Sequence, residues 1–103
     1  MSETKMDGAA LIAAERKRQV EVEGWTPEHD DEHDVGELAS AAATYILETT
    51  FNAPTVEGTW CSELWPFDNS WFKLSPDPIR NLVKAGALIA AEIDRLQRAA
   101  PKP

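Results

Sequence analysis

The run Asp77-Pro78 followed by IRNLVKAGALIAAEIDRLQRA constrains this chain more than any other stretch. Aspartate is a strong helix cap, and proline fits the first helical position, where its missing N–H has no partner to lose. Behind them Leu82, Gly86, Ile89, Ile93 and Leu96 recur at three- and four-residue steps to about Ala99, and Ile79, Val83 and Ala87 widen the stripe. The pattern predicts one long helix that turns this apolar stripe toward the core. Gly86 costs roughly 1 kcal/mol of helix propensity relative to alanine, which suggests a close helix crossing there. At 103 residues the chain has room for a single core and one domain spanning 1–103, with 1–7 and 100–103 expected to fray.

Two more helices are predicted upstream. In the first, about Gly8 to Glu23, Leu11, Ala14, Arg18 and Val22 share a face, and Gly24 follows where positive φ is wanted. Glu15 and Arg18 lie on that stripe, with Gln19 one turn beyond Glu15. A buried charge needs a partner, which an intrahelical pair or a link to Asp30 or Asp31 would supply. The second spans Asp34 to about Glu48. Asp34-Val35-Gly36-Glu37 has the form of a capping box, and Val35, Leu38, Ala42, Tyr45 and Thr49 point inward. Thr26-Pro27 is a rival start, but residues 27–34 contain no large apolar side chain that packing would hold. From Phe51 to Asp77 the periodicity disappears and aromatics gather: Trp60, Trp65, Trp71, Phe67 and Phe72. These rings are expected to complete the core or to form a binding surface. The predicted fold is all-α, three helices with a long aromatic loop between the second and third.

Eighteen acidic residues against ten basic ones leave a formal charge of −8. This argues against binding nucleic acid or anionic lipid, where phosphate neutralisation supplies much of the affinity. A small ligand, a metal or a basic protein surface remain as partners. Cys61 is the only cysteine, so no internal disulfide forms, and no neighbouring histidine supports it as a nucleophile. The apolar runs are too short to span a bilayer, and MSETKMDG has no signal-peptide pattern. A soluble cytoplasmic protein is expected, and one that self-associates, because so short a chain gains core by oligomerising.

Five segments, ERKRQ (15–19), EGWTPEHDDEH (23–33), GELASAAATYI (36–46), WPFDNSWFK (65–73) and RNLVKAGALIAAEIDRL (80–96), together resemble a family of small phage and prophage accessory proteins. That family includes the C-terminal region of the Ead-like early proteins of lambdoid phages. The resemblance runs from about Leu11 to Arg98 and implies a bacterial cytoplasmic setting and an accessory role during infection. Where the family reads WPW and WWKP, this chain has Phe67 and Phe72, which keep the ring but lose the indole donor. Arg18, Gly24-Trp25-Thr26 and Asp30-Asp31 are also similar to a stretch of the ryanodine-receptor repeat domain, a resemblance that implies nucleotide sensing.

EGWTPEHDDEHDVGEL (23–38) carries most of the chemistry on offer: a tryptophan, a dense acidic run and both histidines. His29 and His33 would share a helical face, and with Asp30, Asp31 and Glu32 beside them they are candidates for a divalent cation. The same acids also suit a first helical turn, where unpaired N–H groups and the dipole favour negative charge. The leading reading is non-enzymatic: Arg18 meets an anionic ligand, Trp25 stacks on a base, and Asp30, Asp31, His33, Trp65 and Trp71 complete the site for a small nucleotide-like ligand or a host protein. It requires no cofactor. Two alternatives stand beside it. An all-α nucleoside triphosphate pyrophosphohydrolase would hold Mg²⁺ between Asp31, Glu37 and Glu92. An acidic decoy would instead cover a basic host protein.

Overall fold

The computed structural model describes residues 6–51 and 64–100. Trp60, Cys61 and the terminal prolines Pro101 and Pro103 lie outside them. The described residues are all-helical, with four α-helices where three were expected. Helix α1 covers Gly8–Glu21, α2 Pro27–Asp31, α3 Glu37–Phe51 and α4 Pro78–Ala99. Among the described residues between α3 and α4, Asn69–Trp71 forms a 3-10 turn.

Helix starts follow local chemistry. Asp7 caps α1 by accepting the Ala10 N–H at 2.9 Å, and Asp77 caps α4 by accepting that of Ile79 at 3.0 Å. Thr26-Pro27 also starts a helix: the Thr26 hydroxyl accepts from the His29 N–H, and Pro27 takes the first position of α2. The predicted capping box does not begin α3. Gly36 adopts φ +88°, a left-handed backbone that breaks the helix between Asp34 and Glu37. Glu37 becomes the first helical residue, and its carboxylate accepts the Val35 N–H at 2.9 Å rather than that of Asp34. Gly24 takes φ +78° after α1, as its position predicted.

Helices α3 and α4 pack along each other, with α1 and α2 against α4. The core joins Leu38, Ala41, Ala42 and Tyr45 of α3 to Ala85, Leu88 and Ala91 of α4, closed by Phe72 from the loop. Side chains of α3 tie the loop down from one side. The Ser40 hydroxyl donates to the Leu64 carbonyl, and the Tyr45 hydroxyl accepts the Lys73 N–H at 3.1 Å.

The α4 stripe faces the other way from the expectation. Ile79, Leu82, Ile89, Ile93 and Leu96 are exposed, while Asn81, Ala85, Leu88, Ala91, Glu92 and Arg95 are buried; of the expected stripe, Ala87 is buried as anticipated. The buried polar groups have partners. Asn81 accepts the Ser75 N–H at 2.7 Å and donates to its carbonyl at 2.8 Å, and Arg95 forks onto Glu92 at 2.7 and 3.1 Å. Apolar periodicity located the helix but not its inner face, because that face combines Leu88 and small alanines with paired polar groups. Helix α1 is turned in part: Glu15, expected on the stripe, is buried together with Gln19, whereas Ala14 and Val22 are exposed. Val35, expected inside, is exposed as well. At Gly86 the crossing is as close as anticipated, since a Cβ there would lie 2.5 Å from Cδ1 of Ile12 in α1.

Candidate functional site

A cleft of about 350 Å³ opens between α1, α3, α4 and the loop. Glu15, Arg18 and Gln19 reach it from α1, with Glu23 and Trp25 from the turn that follows. Tyr45 comes from α3, Trp71 and Lys73 from the loop, and Lys84 and Leu88 from α4. Its placement follows from the turned α1. With Glu15 and Gln19 facing inward, the residues that would oppose apolar core oppose each other and the aromatic rings instead.

Glu15 anchors the polar wall. Arg18 forks onto its carboxylate at 2.9 and 3.0 Å, Arg80 reaches it from α4 at 2.6 Å, and the Gln19 amide donates to it at 3.3 Å. Burial pushes the Glu15 carboxyl up, but the hydrogen bonds from Arg18 and Arg80 outweigh it and hold the group below its ordinary value. Arg18 also reaches Glu23 at 3.1 Å, and its guanidinium is stabilised in the charged form chiefly by Glu15. The Gln19 side-chain oxygen is buried and has no hydrogen-bond partner among the described residues.

Lys84 lies 5.5 Å from the centre of the Tyr45 ring and donates to the Lys73 carbonyl. Among the described residues it forms no ion pair. Burial lowers its pKa, and the nearby Arg80 charge lowers it further. Two carboxylates therefore face three cations across the cleft, and Arg80 adds a fourth cation behind Glu15. The cleft is locally positive on a protein whose formal charge is −8.

Of the residues the sequence singled out, Arg18, Trp25 and Trp71 line the cleft. The others do not. Trp65 packs against the core, its ring 5.7 Å from Tyr45 and 5.0 Å from Phe72, its indole donating to the Asp68 carbonyl. Asp30 is fully buried and binds Arg16 and His29. Of the two partners expected for the α1 charges, the intrahelical one is formed, Glu15 with Arg18, while Asp30 and Asp31 bind Arg16 and Arg98 instead, the latter at 2.8 Å. Arg18 meets Glu15 and Glu23 because they lie on its own side of α1 and its terminal turn. His33 sits in a ladder of rings: Trp25 stacks on His29 at 5.9 Å, His29 meets His33 at 4.8 Å, and His33 meets Phe67 at 5.1 Å.

Asp31, Glu37 and Glu92, the carboxylates proposed for Mg²⁺, do not converge. Each is committed to a neighbour: Asp31 to Arg98, Glu37 to His33 and the Val35 N–H, Glu92 to Arg95. His29 and His33 come together, but their Nδ1 atoms point to Asp30 and Glu37 respectively. Among the described residues no three His, Cys, Asp or Glu side chains form a group able to hold a metal ion.

Glu23, Tyr45, Lys73, Lys84 and Leu88 carried no sequence signal as cleft residues, since each is ordinary for its element. Glu15 and Gln19 did carry one, as polar side chains interrupting an apolar stripe. No described helix is long and apolar enough to cross a membrane. Comparison with protein-family models, curated proteins and solved structures finds no match to this chain.

Proposed function

We propose that this protein is a non-enzymatic accessory protein that binds a small nucleotide-like ligand in the cleft between Trp25 and Trp71. The carrying observation is Gln19: a buried amide oxygen without a hydrogen-bond partner, in a cleft where cations outnumber carboxylates. Buried polar atoms are rarely left unsatisfied, so this oxygen calls for a donor that the described residues do not supply. The Arg18, Lys73 and Lys84 cations suit a phosphate or other anion, and the Trp25 and Trp71 rings suit a planar base. The setting that accords with the sequence resemblance is the bacterial cytoplasm during phage infection.

Titration calorimetry with nucleotides and cyclic nucleotides tests the reading. A saturable heat that Trp71→Ala weakens at least tenfold is expected. No heat and no thermal shift with any of them overturns it. A second reading, capture of a basic host protein, has one observation in its favour: Glu21, Glu28, Glu32 and Asp34 are exposed and form no ion pair among the described residues. Pull-down from host lysate that charge reversal at these four positions leaves unchanged removes it.

A further inference from the structure

We propose that two copies of this chain associate through the outer face of α4, the two helices lying antiparallel about a two-fold axis. Ile79, Leu82, Gly86, Ile89, Ile93 and Leu96 are separated by steps of three, four, three, four and three residues. That is the strict seven-residue spacing of a coiled-coil seam, narrower than the stripe of a helix buried in a globular core. The five large side chains in it are between 41% and 62% exposed. In the same helix Asn81, Glu92 and Arg95 face inward. The chain on its own thus buries these polar groups together with Ala85, Ala87, Leu88 and Ala91, and leaves the five large seam side chains facing water. Monomers rarely expose a continuous apolar patch of this kind.

The spacing itself favours a second copy as the partner. Read backwards, three-four-three-four-three is unchanged, so an antiparallel copy sets Ile79 opposite Leu96, Leu82 opposite Ile93 and Gly86 opposite Ile89. An interface built on a two-fold axis requires such self-complementarity. The one small residue of the seam, Gly86, is covered by Ile12 of α1, so in this register Ile89 of the second copy meets the Ile12 side chain rather than the Gly86 backbone. The flanking positions Val83, Ala85, Ala90 and Gln97 carry no charge, and Glu92 is already neutralised by Arg95. Two molecules each of charge −8 therefore meet on a surface that adds no repulsion of its own. Antiparallel helix dipoles also favour this arrangement.

The seam is about 26 Å long at 1.5 Å per residue. One helix pair of that length falls at the small end of specific interfaces, so the dimer forms with concentration rather than being permanent. Sedimentation equilibrium of the full chain from micromolar to millimolar concentration should show the mass rising from 11.4 kDa toward twice that value. Ile89→Glu should hold it at the monomer mass while leaving the helical circular dichroism unchanged, because Ile89 is outside the core. A monomer at every concentration overturns the proposal, as does a dimer that Ile89→Glu and Ile93→Glu both leave intact. Orientation is read separately in a Cys61→Ser background. Mixing Leu82→Cys with Ile93→Cys should yield oxidative cross-links between the two variants. Cross-links formed only within each variant overturn the antiparallel register.

Discussion

Asp30 shows how much one side chain can hold. Its carboxylate is fully buried, yet it binds Arg16 from α1 and His29 from α2, so it fixes a five-residue helix that has no large apolar residue of its own. Removing one partner of a buried pair strands the other charge. Asp30→Ala should cost about 3–5 kcal/mol, read as a lower urea midpoint, with Trp25 fluorescence changing as the turn loosens. Glu15 makes the complementary prediction about pH. Its folded pKa is below the 4.5 of the unfolded chain, so between those two values the unfolded state binds more protons. The stabilisation is present in full above 4.5 and is lost as pH falls through the folded value. Denaturation midpoints measured across that acid range should drop, and Glu15→Gln should flatten part of the drop. An unchanged slope would show that Arg18 and Arg80 do not protect this carboxylate.

At the scale of elements, the turn joining α2 to α3 depends on Gly36 at φ +88°, where nothing lies within 4 Å of an added Cβ. Gly36→Ala should therefore cost about 1–2 kcal/mol through backbone strain alone, and Gly36→Asn less, since asparagine tolerates the left-handed region. Gly86→Ala differs in cause. It gains roughly 1 kcal/mol of helix propensity but drives a methyl into Ile12, and overpacking of that kind costs about 1–3 kcal/mol. A net loss of stability is expected, partly restored by Ile12→Val in the same chain. If the two substitutions add independently, the α1–α4 crossing is looser than the structure has it.

The whole molecule assembles the cleft from segments far apart in sequence: α1 and its turn, Tyr45, the 71–73 loop and α4. Its cations act on a charged ligand against the field of an acidic protein, so binding of an anion should weaken steeply with salt. It should also weaken as pH rises toward the depressed pKa of Lys84, below 10.5, because the neutral amine no longer attracts the anion. Lys84→Met should remove that alkaline decline when affinity is followed by calorimetry. The cleft and the α4 seam occupy different faces, with Lys84 and Leu88 toward one and Ile89 on the other. Ile89→Glu should accordingly leave ligand affinity unchanged.

Sequence alone determined what depends on neighbours a few residues away. The start and length of α4, the positive φ at Gly24 and the close approach at Gly86 were all legible, and Thr26 was legible as a rival helix start, because caps, glycine conformation and helical period are local properties. It also flagged Arg18, Trp25 and Trp71 as candidate ligand contacts, which tertiary packing then brought to one cleft. Only the tertiary structure decided which way α1 and α4 face. Periodicity reveals that a helix has an apolar stripe but not what lies opposite it. Here Glu15 meeting Arg80, Asn81 meeting Ser75 and Glu92 meeting Arg95 satisfy a polar interior, and the aliphatic seam is left facing outward.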